Sequence, residues 1–223
     1  MAKMKVKNPI DLSHPTPCVA LLADQVGSRD SNRAQSHAAI LDSLPRINQQ
    51  VPSLDALRVT VGDELQGVYP TLGRALEASY RLRLELAGTV DLRIGLGRGE
   101  VVEIDAEHGI QDGSAWYAAR DAIGQVASIA QTRGYRAVRT ALVNADADEP
   151  ESPLITPALQ LIDSALGRLR TGAAQSLLAL IDGHDNQSAA EAAGISPSAN
   201  SQRIDNNDLR ILADAIRAVI AQP

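Results

Sequence analysis

Up to residue 102, the chain is made of successive segments whose apolar residues recur either every second residue, as in a strand, or about every 3.6 residues, as in a helix. A continuous apolar run at 18–23 predicts a buried first strand, which the polar residues 25–30 end in a turn. The following segments are predicted as helix 32–48, strands 57–61 and 65–69, helix 72–86 and strand 91–102, and then helix 115–132 and strand 135–143. The first six elements, in the order strand, helix, strand, strand, helix, strand, follow the ferredoxin-like or palm pattern.

The second half of the chain has a different composition. Residues 144–157 are acidic and contain several prolines, which is typical of a linker. Beyond them the residues are rich in Ala and Leu with a helical period, and no strand is predicted. We therefore expect an α+β protein in three parts: an irregular N-terminal arm at 1–16, a mixed domain of strands and helices at 17–148, and an all-α domain at 149–223.

Composition and charge exclude several classes of protein. The 223 residues are 44% hydrophobic and 22% charged, which favours a globular fold over a disordered chain. The chain has no Phe, which argues against RNA binding by an aromatic-rich sheet. The single cysteine, Cys18, is compatible with a reducing cytoplasm, and no apolar run is long enough to span a membrane. The net charge of −6 argues against binding to nucleic acid by bulk charge alone.

Carboxylates follow the first strand and occupy the turn between the second and third strands. Asp24 ends the first predicted strand, and Asp63 and Glu64 lie in the hairpin turn. In a palm topology these two places are neighbours, and two close carboxylates need a proton or a divalent cation between them. We therefore expect Asp24 and Asp63 to bind magnesium or manganese at a nucleotide triphosphate site. The alternative is that the pair is only a hairpin turn and a strand end.

The fourth strand carries glycines and arginines at alternating positions. Gly95, Gly97 and Gly99 share one face, which predicts a close approach of a helix, a dimer partner or a ligand. Arg98 and Arg120 are the candidate phosphate-binding residues, because the planar guanidinium group matches phosphate oxygens. The alternatives are that Arg98 is an exposed strand residue and that Arg120 forms an ion pair with the acidic strand ends.

The C-terminal segment carries a pattern that resembles the helix-turn-helix of bacterial transcription factors. A short helix at 186–194 ends at Gly194, and Ser196 and Pro197 begin a second helix that extends to about residue 206. The candidate DNA contacts on this second helix are Ser198, Asn200, Ser201, Gln202 and Arg203. Residues 171–223 contain three arginines and six carboxylates, a net charge of −3. Because DNA binding depends on phosphate neutralisation, a protein-interaction or dimerisation role stays open for this segment.

Four stretches of the first domain, in order, resemble class III nucleotidyl cyclases. They are residues 20–28 (ALLADQVGS), 61–65 (VGDEL), 92–101 (LRIGLGRGEV) and 112–120 (DGSAWYAAR). The resemblance implies a cyclase-like fold in which Glu64, Arg98 and Arg120 take part in binding a nucleotide and its phosphates. Two positions depart from the cyclases: Trp116 stands where they have Asn, and Val59 stands where they have a base-reading Lys or Glu. An indole N–H cannot replace an amide, so these departures disfavour cyclisation.

A more specific resemblance is to the SatD family of bacterial proteins. The shared motifs are DxVxSR at 24–29, GDExQG at 62–67, RxGxGxGE at 93–100, and DG at 112–113 followed by ARDA at 119–122. The resemblance implies mainly the fold. Together with the carboxylate pair and the helix-turn-helix pattern, it leads us to expect a SatD-like cytoplasmic, homodimeric regulator that binds a nucleotide with magnesium or manganese through its cyclase-like domain and DNA through its helix-turn-helix. Two alternatives stay open: an active nucleotidyl cyclase or phosphotransfer enzyme, and a structural module for dimerisation or protein interaction.

Overall fold

The computed structural model describes residues 12–27, 33–60, 64–146, 148 and 151–223. Its strands are β1 (Thr16–Gln25), β2 (Asp55–Val59), β3 (Leu65–Tyr69), β4 (Leu92–Asp105), β5 (Ile110–Asp112) and β6 (Thr140–Asn144). Its helices are α1 (Arg33–Gln50), α2 (Leu72–Glu85), α3 (Ser114–Ile129), α4 (Ile155–Leu166), α5 (Thr171–Ile181), α6 (Asn186–Ala192), α7 (Pro197–Asn206) and α8 (Leu209–Ile220). The α+β class is confirmed. Most of the predicted N-terminal arm and residue Asp63 lie outside the described residues.

The strands form one mixed sheet in the order β2-β3-β1-β4, with β5 and β6 both paired to β4. Strand β1 is antiparallel to both of its neighbours, β3 and β4, whereas β6 is parallel to β4. Two predictions from the sequence are corrected. The short strand β5 was not predicted, and the strand expected at 135–143 begins only at Thr140. The preceding residues form turns, in which Tyr135 N–H donates to Thr132 and Val138 N–H donates to Tyr135.

Helix α3 packs directly against the glycine face of β4. A Cβ atom on Gly97 would lie 2.1 Å from the carbonyl oxygen of Ala115 and 2.2 Å from the nitrogen of Ala119. Gly95 and Gly99 are similarly close to the α3 backbone. The alternation of glycines therefore lets a helix lie against the sheet with no side chain between the two backbones.

The main hydrophobic core lies on the opposite face of the sheet and continues into the C-terminal helices. It joins residues of β1, β3, β4, α1 and α2 to buried residues of the later helices, such as Leu159, Leu177, Ile204 and Ile216. A smaller cluster on the α3 face includes Cys18. The core thus crosses the domain boundary that the sequence predicts near residue 150. No helix among the described residues has the length and apolarity needed to cross a membrane.

Two arginines on α2, the buried Arg81 and the nearly buried Arg83, connect it to the C-terminal helices. Arg81 Nη1 lies 2.6 Å from Asp182 Oδ1 at the end of α5. Arg83 pairs with Asp163 of α4, a carboxylate with no exposed surface. Asp163 also accepts hydrogen bonds at 2.8 Å from the backbone N–H of Thr140 and at 3.0 Å from its hydroxyl. One buried carboxylate therefore connects α4, α2 and the start of β6.

Candidate functional site

The register of the sheet brings charged side chains together at one end of the α3 face. Ala23 pairs with Leu65, and Asp24 pairs with Arg93, so Asp24, Arg93 and Glu64 occupy neighbouring positions. Side chains alternate between faces along a strand, so Arg93 shares the face of Gly95, on which α3 lies. Arg120 reaches the same end from α3. We call Asp24, Glu64, Arg93 and Arg120 the sheet-end cluster.

Two bidentate ion pairs make up the sheet-end cluster. Arg93 donates from Nε to Asp24 Oδ1 at 2.7 Å and from Nη2 to Oδ2 at 2.8 Å. Arg120 donates to the two oxygens of Glu64 at 2.6 and 3.0 Å. The hydrogen bond to Glu64 raises the pKa of Arg120, and the charges of Glu64 and Asp24 raise it further. Arg120 therefore forms an ion pair with Glu64 in this structure, as the alternative prediction for this residue expects.

The ion pairs of the sheet-end cluster are accessible to solvent. The side chains of Asp24 and Arg93 are each 30% exposed, and that of Arg120 is 58% exposed. Solvent-accessible ion pairs stabilise a protein by only about 0–1 kcal/mol each. The loss of either ion pair should therefore cost the fold little stability.

The predicted metal pair is described only at Asp24, because Asp63 lies outside the described residues. In the described part of the chain, the sheet-end cluster included, no three His, Cys, Asp or Glu side chains are grouped as metal ligands. Burial raises the pKa of the Cys18 thiol to about 12, so Cys18 is unsuited to act as a thiolate ligand or nucleophile.

Arg98 lies away from the other predicted phosphate-binding residues. It is five residues along β4 from Arg93 in an uninterrupted register, so its side chain points to the opposite face of the sheet. There it donates from Nη2 to the carbonyl oxygen of Pro223 at 3.1 Å, and its Nε lies 2.6 Å from Glu151 Oε1. Arg98 and Arg120 cannot bind one phosphate group together, and we remove Arg98 from the candidate site.

A row of polar side chains beside the sheet-end cluster was missed by the sequence analysis. Arg58 of β2 pairs with Gln66 of β3, which is two residues from Glu64 on the same face. Asp55 Oδ2 accepts hydrogen bonds at 3.1 Å from both Arg58 and Gln111. The sequence carried only isolated polar residues in these strands, Asp55 and Arg58 in β2 and Gln66 in β3, and they form a row only once the strand pairing is known.

The side chain of Trp116 is partly buried and lies against the smaller core cluster. It packs against the apolar residues between α3 and the sheet, and its Nε1 is buried without a hydrogen-bond partner among the described residues. Trp116 therefore fills space on the α3 face, one turn before Arg120, and presents no polar atom to the sheet-end cluster.

Two of the predicted DNA contacts point into the protein. Asn200 has no exposed surface, and its Oδ1 accepts a hydrogen bond from Ser176 of α5 at 2.7 Å. Its Nδ2 donates to Asn186 at 2.9 Å, which joins α7 to α6. Arg203 donates to the carbonyl oxygen of Gly172 at 2.9 Å. Asn200 and Arg203 therefore connect helices and do not belong to an exposed face of α7.

The other three predicted DNA contacts lie nearer the surface. Ser198 and Gln202 are exposed and one helical turn apart on α7, and Ser201 is half-buried. Asp205, also exposed, lies one turn after Ser201 and adds negative charge. The surface of α7 is thus polar and carries no exposed arginine.

Comparison with solved structures finds a bacterial light-regulated adenylyl cyclase that is 13% identical and covers 59% of this chain and 76% of its own, with a TM-score of 0.37. A likeness this distant supports no conclusion about fold or function. No curated protein sequence matches the chain. The family model described as the SatD family matches residues 18–219, which include every member of the sheet-end cluster. Because this match extends over nearly the whole sequence, the chain belongs to the SatD family.

Proposed function

We propose that this protein binds a nucleotide together with magnesium or manganese at the sheet-end cluster. The observation that carries the proposal is the meeting of two carboxylates and two guanidinium groups at one accessible end of the α3 face. Carboxylate oxygens are ligands that Mg²⁺ prefers, and guanidinium groups bind phosphate oxygens in pairs. A nucleotide–metal complex offers a partner to both kinds of group.

The charged groups of the sheet-end cluster would bind such a ligand by exchanging their present ion-pair partners for its phosphate oxygens and its cation. Asp24 and Asp63 would hold the cation, which would neutralise phosphate charge when bound. Arg120 would leave Glu64 for a phosphate oxygen, and Arg93 would share Asp24 with the cation. The antiparallel strand order β2-β3-β1-β4 supports a palm-like arrangement in which these groups are neighbours.

We further propose that binding serves regulation and not turnover. In the cyclases that the sequence resembles, an Asn stands where this chain has Trp116. The indole nitrogen can only donate a hydrogen bond, and here it is buried within the smaller core cluster. Loss of one preorganised donor typically lowers a rate by about 10²–10³-fold. Cyclase or phosphotransfer activity is the competing function.

Thermal unfolding with and without nucleotide and cation tests the site. ATP or GTP should raise the Tm, and magnesium or manganese should increase that rise, because a ligand of the folded state stabilises it. We expect Asp63→Asn to remove the cation-dependent part. Arg120→Ala should weaken nucleotide binding at least tenfold, since a hydrogen bond to a charged group contributes about 1.5–3 kcal/mol.

The matched control is Arg74→Ala, which removes an exposed, ion-paired arginine from α2 at 48% side-chain exposure. It should leave the nucleotide response unchanged. An undiminished cation response in Asp63→Asn would exclude the proposed metal site. Cyclic nucleotide formed with manganese and lost in Asp24→Ala would establish the competing enzyme.

A second candidate function is DNA binding by a homodimer. The observation that favours it is the succession of α6, a turn at Gly194 with a φ of +66°, and α7 with Ser198 and Gln202 exposed on one side. Helix-turn-helix proteins bind paired half-sites as symmetric dimers. This proposal includes fewer DNA contacts than the sequence predicts. Only Ser198, Ser201 and Gln202 stay as candidate base contacts.

Selection from a random duplex library tests DNA binding. The wild type should enrich a two-fold symmetric sequence, and light scattering should give twice the chain mass of 23.6 kDa. Gln202→Ala should lower the selectivity for one base pair in each half-site of the enriched sequence. A good side-chain contact favours the correct base over the wrong base by about 1–3 kcal/mol. Gln175→Ala, at an exposed position of α5, is the control and should select the wild-type sequence. If the wild type is monomeric and enriches no sequence, this segment does not read DNA.

A further inference from the structure

Helix α4 carries the two most exposed leucines of the part of the chain that the structure describes. Leu154, its N-cap residue, is 74% exposed, and Leu161 is 73% exposed. The exposed face of a surface helix normally carries charged residues. The one charged residue of α4 is Asp163, which is buried and paired with Arg83, so the exposed surface of this helix is uncharged. Such a surface is typical of a contact with another protein.

The apolar residues on one flank of α4 have the spacing of a coiled-coil seam. They follow one another at steps of four, three and four residues and are Leu154, Ala158, Leu161 and Ala165. Leu154 already has helical backbone angles, with φ −86° and ψ −15°, so the seam is continuous from its first residue. Steps of three and four residues keep side chains on one side of a helix, where they interlock with a second helix. We call these four residues the α4 seam.

The α4 seam is complementary to a second copy of itself in the antiparallel direction. A two-fold axis between residues 159 and 160 sets Leu154 opposite Ala165 of the second copy and Ala158 opposite Leu161 of the second copy. Each layer then contains one large and one small side chain, which fill the space between the helices without overlap. In a parallel pair, leucine would face leucine and alanine would face alanine, which leaves the alanine layers empty.

Charges beyond the two ends of α4 favour the same direction. Residues 146–151 contain four carboxylates, of which Glu151 pairs with Arg98. Two exposed arginines, Arg168 and Arg170, follow the helix. An antiparallel pair places the acidic end of one copy beside the basic end of the other, whereas a parallel pair brings like charges together.

We infer that the α4 seam is the interface of a symmetric homodimer in which α4 pairs antiparallel with α4 of a second copy. Stable interfaces bury about 1,200–2,000 Å². Two helices of 12 residues cover less than this, so we expect a dissociation constant in the micromolar range. The pairing does not use the sheet-end cluster and rests on neither proposed function. It would supply the dimer that paired DNA half-sites require.

Sedimentation equilibrium of the full chain over about 1–500 μM tests the interface. The wild type should change from monomer to dimer as the concentration rises. Leu161→Glu should raise the dissociation constant about 100-fold or more, because each dimer loses two buried leucines and gains two carboxylates in apolar layers. Ile104→Glu, at a position of β4 that is 63% exposed, is the matched control and should dimerise like the wild type. Both variants should fold, since both side chains are exposed.

The distance between two spin labels tests the direction of the pair. A nitroxide attached at Arg168→Cys reports this distance, since the buried Cys18 stays unlabelled. At about 1.5 Å per residue, antiparallel pairing puts the two labels about 25 Å apart along the axis, whereas parallel pairing puts them about 10 Å apart.

Three results would overturn the inference. A monomer at every concentration would leave the α4 seam to a different protein. A dimer that persists in Leu161→Glu would place the interface elsewhere, although a homodimer could still bind DNA. Labels about 10 Å apart would contradict the antiparallel direction.

Discussion

Replacing Asp163 with alanine is expected to lower the free energy of unfolding by about 3–5 kcal/mol, the cost of breaking a buried, hydrogen-bonded ion pair. Asp163 has no exposed surface, and its removal leaves the side chain of Arg83 without its carboxylate in a nearly buried position. It also removes the acceptor for the N–H and hydroxyl of Thr140, which begins β6. Urea unfolding followed by circular dichroism measures the change.

The control for this prediction is Asp214→Ala. Asp214 forms an ion pair with Arg217 on α8, but its side chain is 76% exposed, so its loss should change the stability by about 0.5 kcal/mol or less. A loss below about 1 kcal/mol for Asp163→Ala would show that the contact between α4 and α2 does not hold the C-terminal helices in place. A single unfolding transition in the wild type would show that these helices unfold together with the sheet.

Gly97→Ala is expected to destabilise the protein by about 3 kcal/mol, at the upper end of the range for overpacking. The added Cβ would lie 2.1 Å from a carbonyl oxygen and 2.2 Å from a backbone nitrogen of α3, and neither can move without moving the helix. Because Arg120 is carried by α3, its distance from Glu64 should change as well. Nucleotide binding should therefore weaken in this variant under conditions in which it is still folded.

The matched control is the same substitution on α3 itself. A Cβ on Gly124 would meet no atom within 4 Å, and the residue is exposed inside a helix. Gly124→Ala should therefore stabilise the protein by about 0.5–1 kcal/mol. Opposite signs for the two Gly→Ala variants would establish the close packing of α3 on β4. A Gly97→Ala variant as stable as the wild type would contradict it.

Periodicity and turn residues predicted most of the secondary structure, because these signals lie within short windows of sequence. Strand β3 has the predicted bounds, and α2 differs from its prediction by one residue. The turns before β6 were missed because the residues there, such as Val138, are apolar although they form no strand. Strand β5 was missed because three residues are too few to show a period.

The composition and the local patterns of the sequence determined the α+β class, the aliphatic core and the charged residues at the strand ends. The partners of those charged residues depended on the tertiary structure. Asp24 and Arg93 are 69 residues apart, Glu64 and Arg120 are 56 apart, and the register and the packing of α3 bring them together. The same register puts Arg98 on the other face from Arg120, and the packing of α7 against α5 buries Asn200. A local pattern shows that a residue is polar, whereas its partner is determined by contacts between elements far apart in the chain.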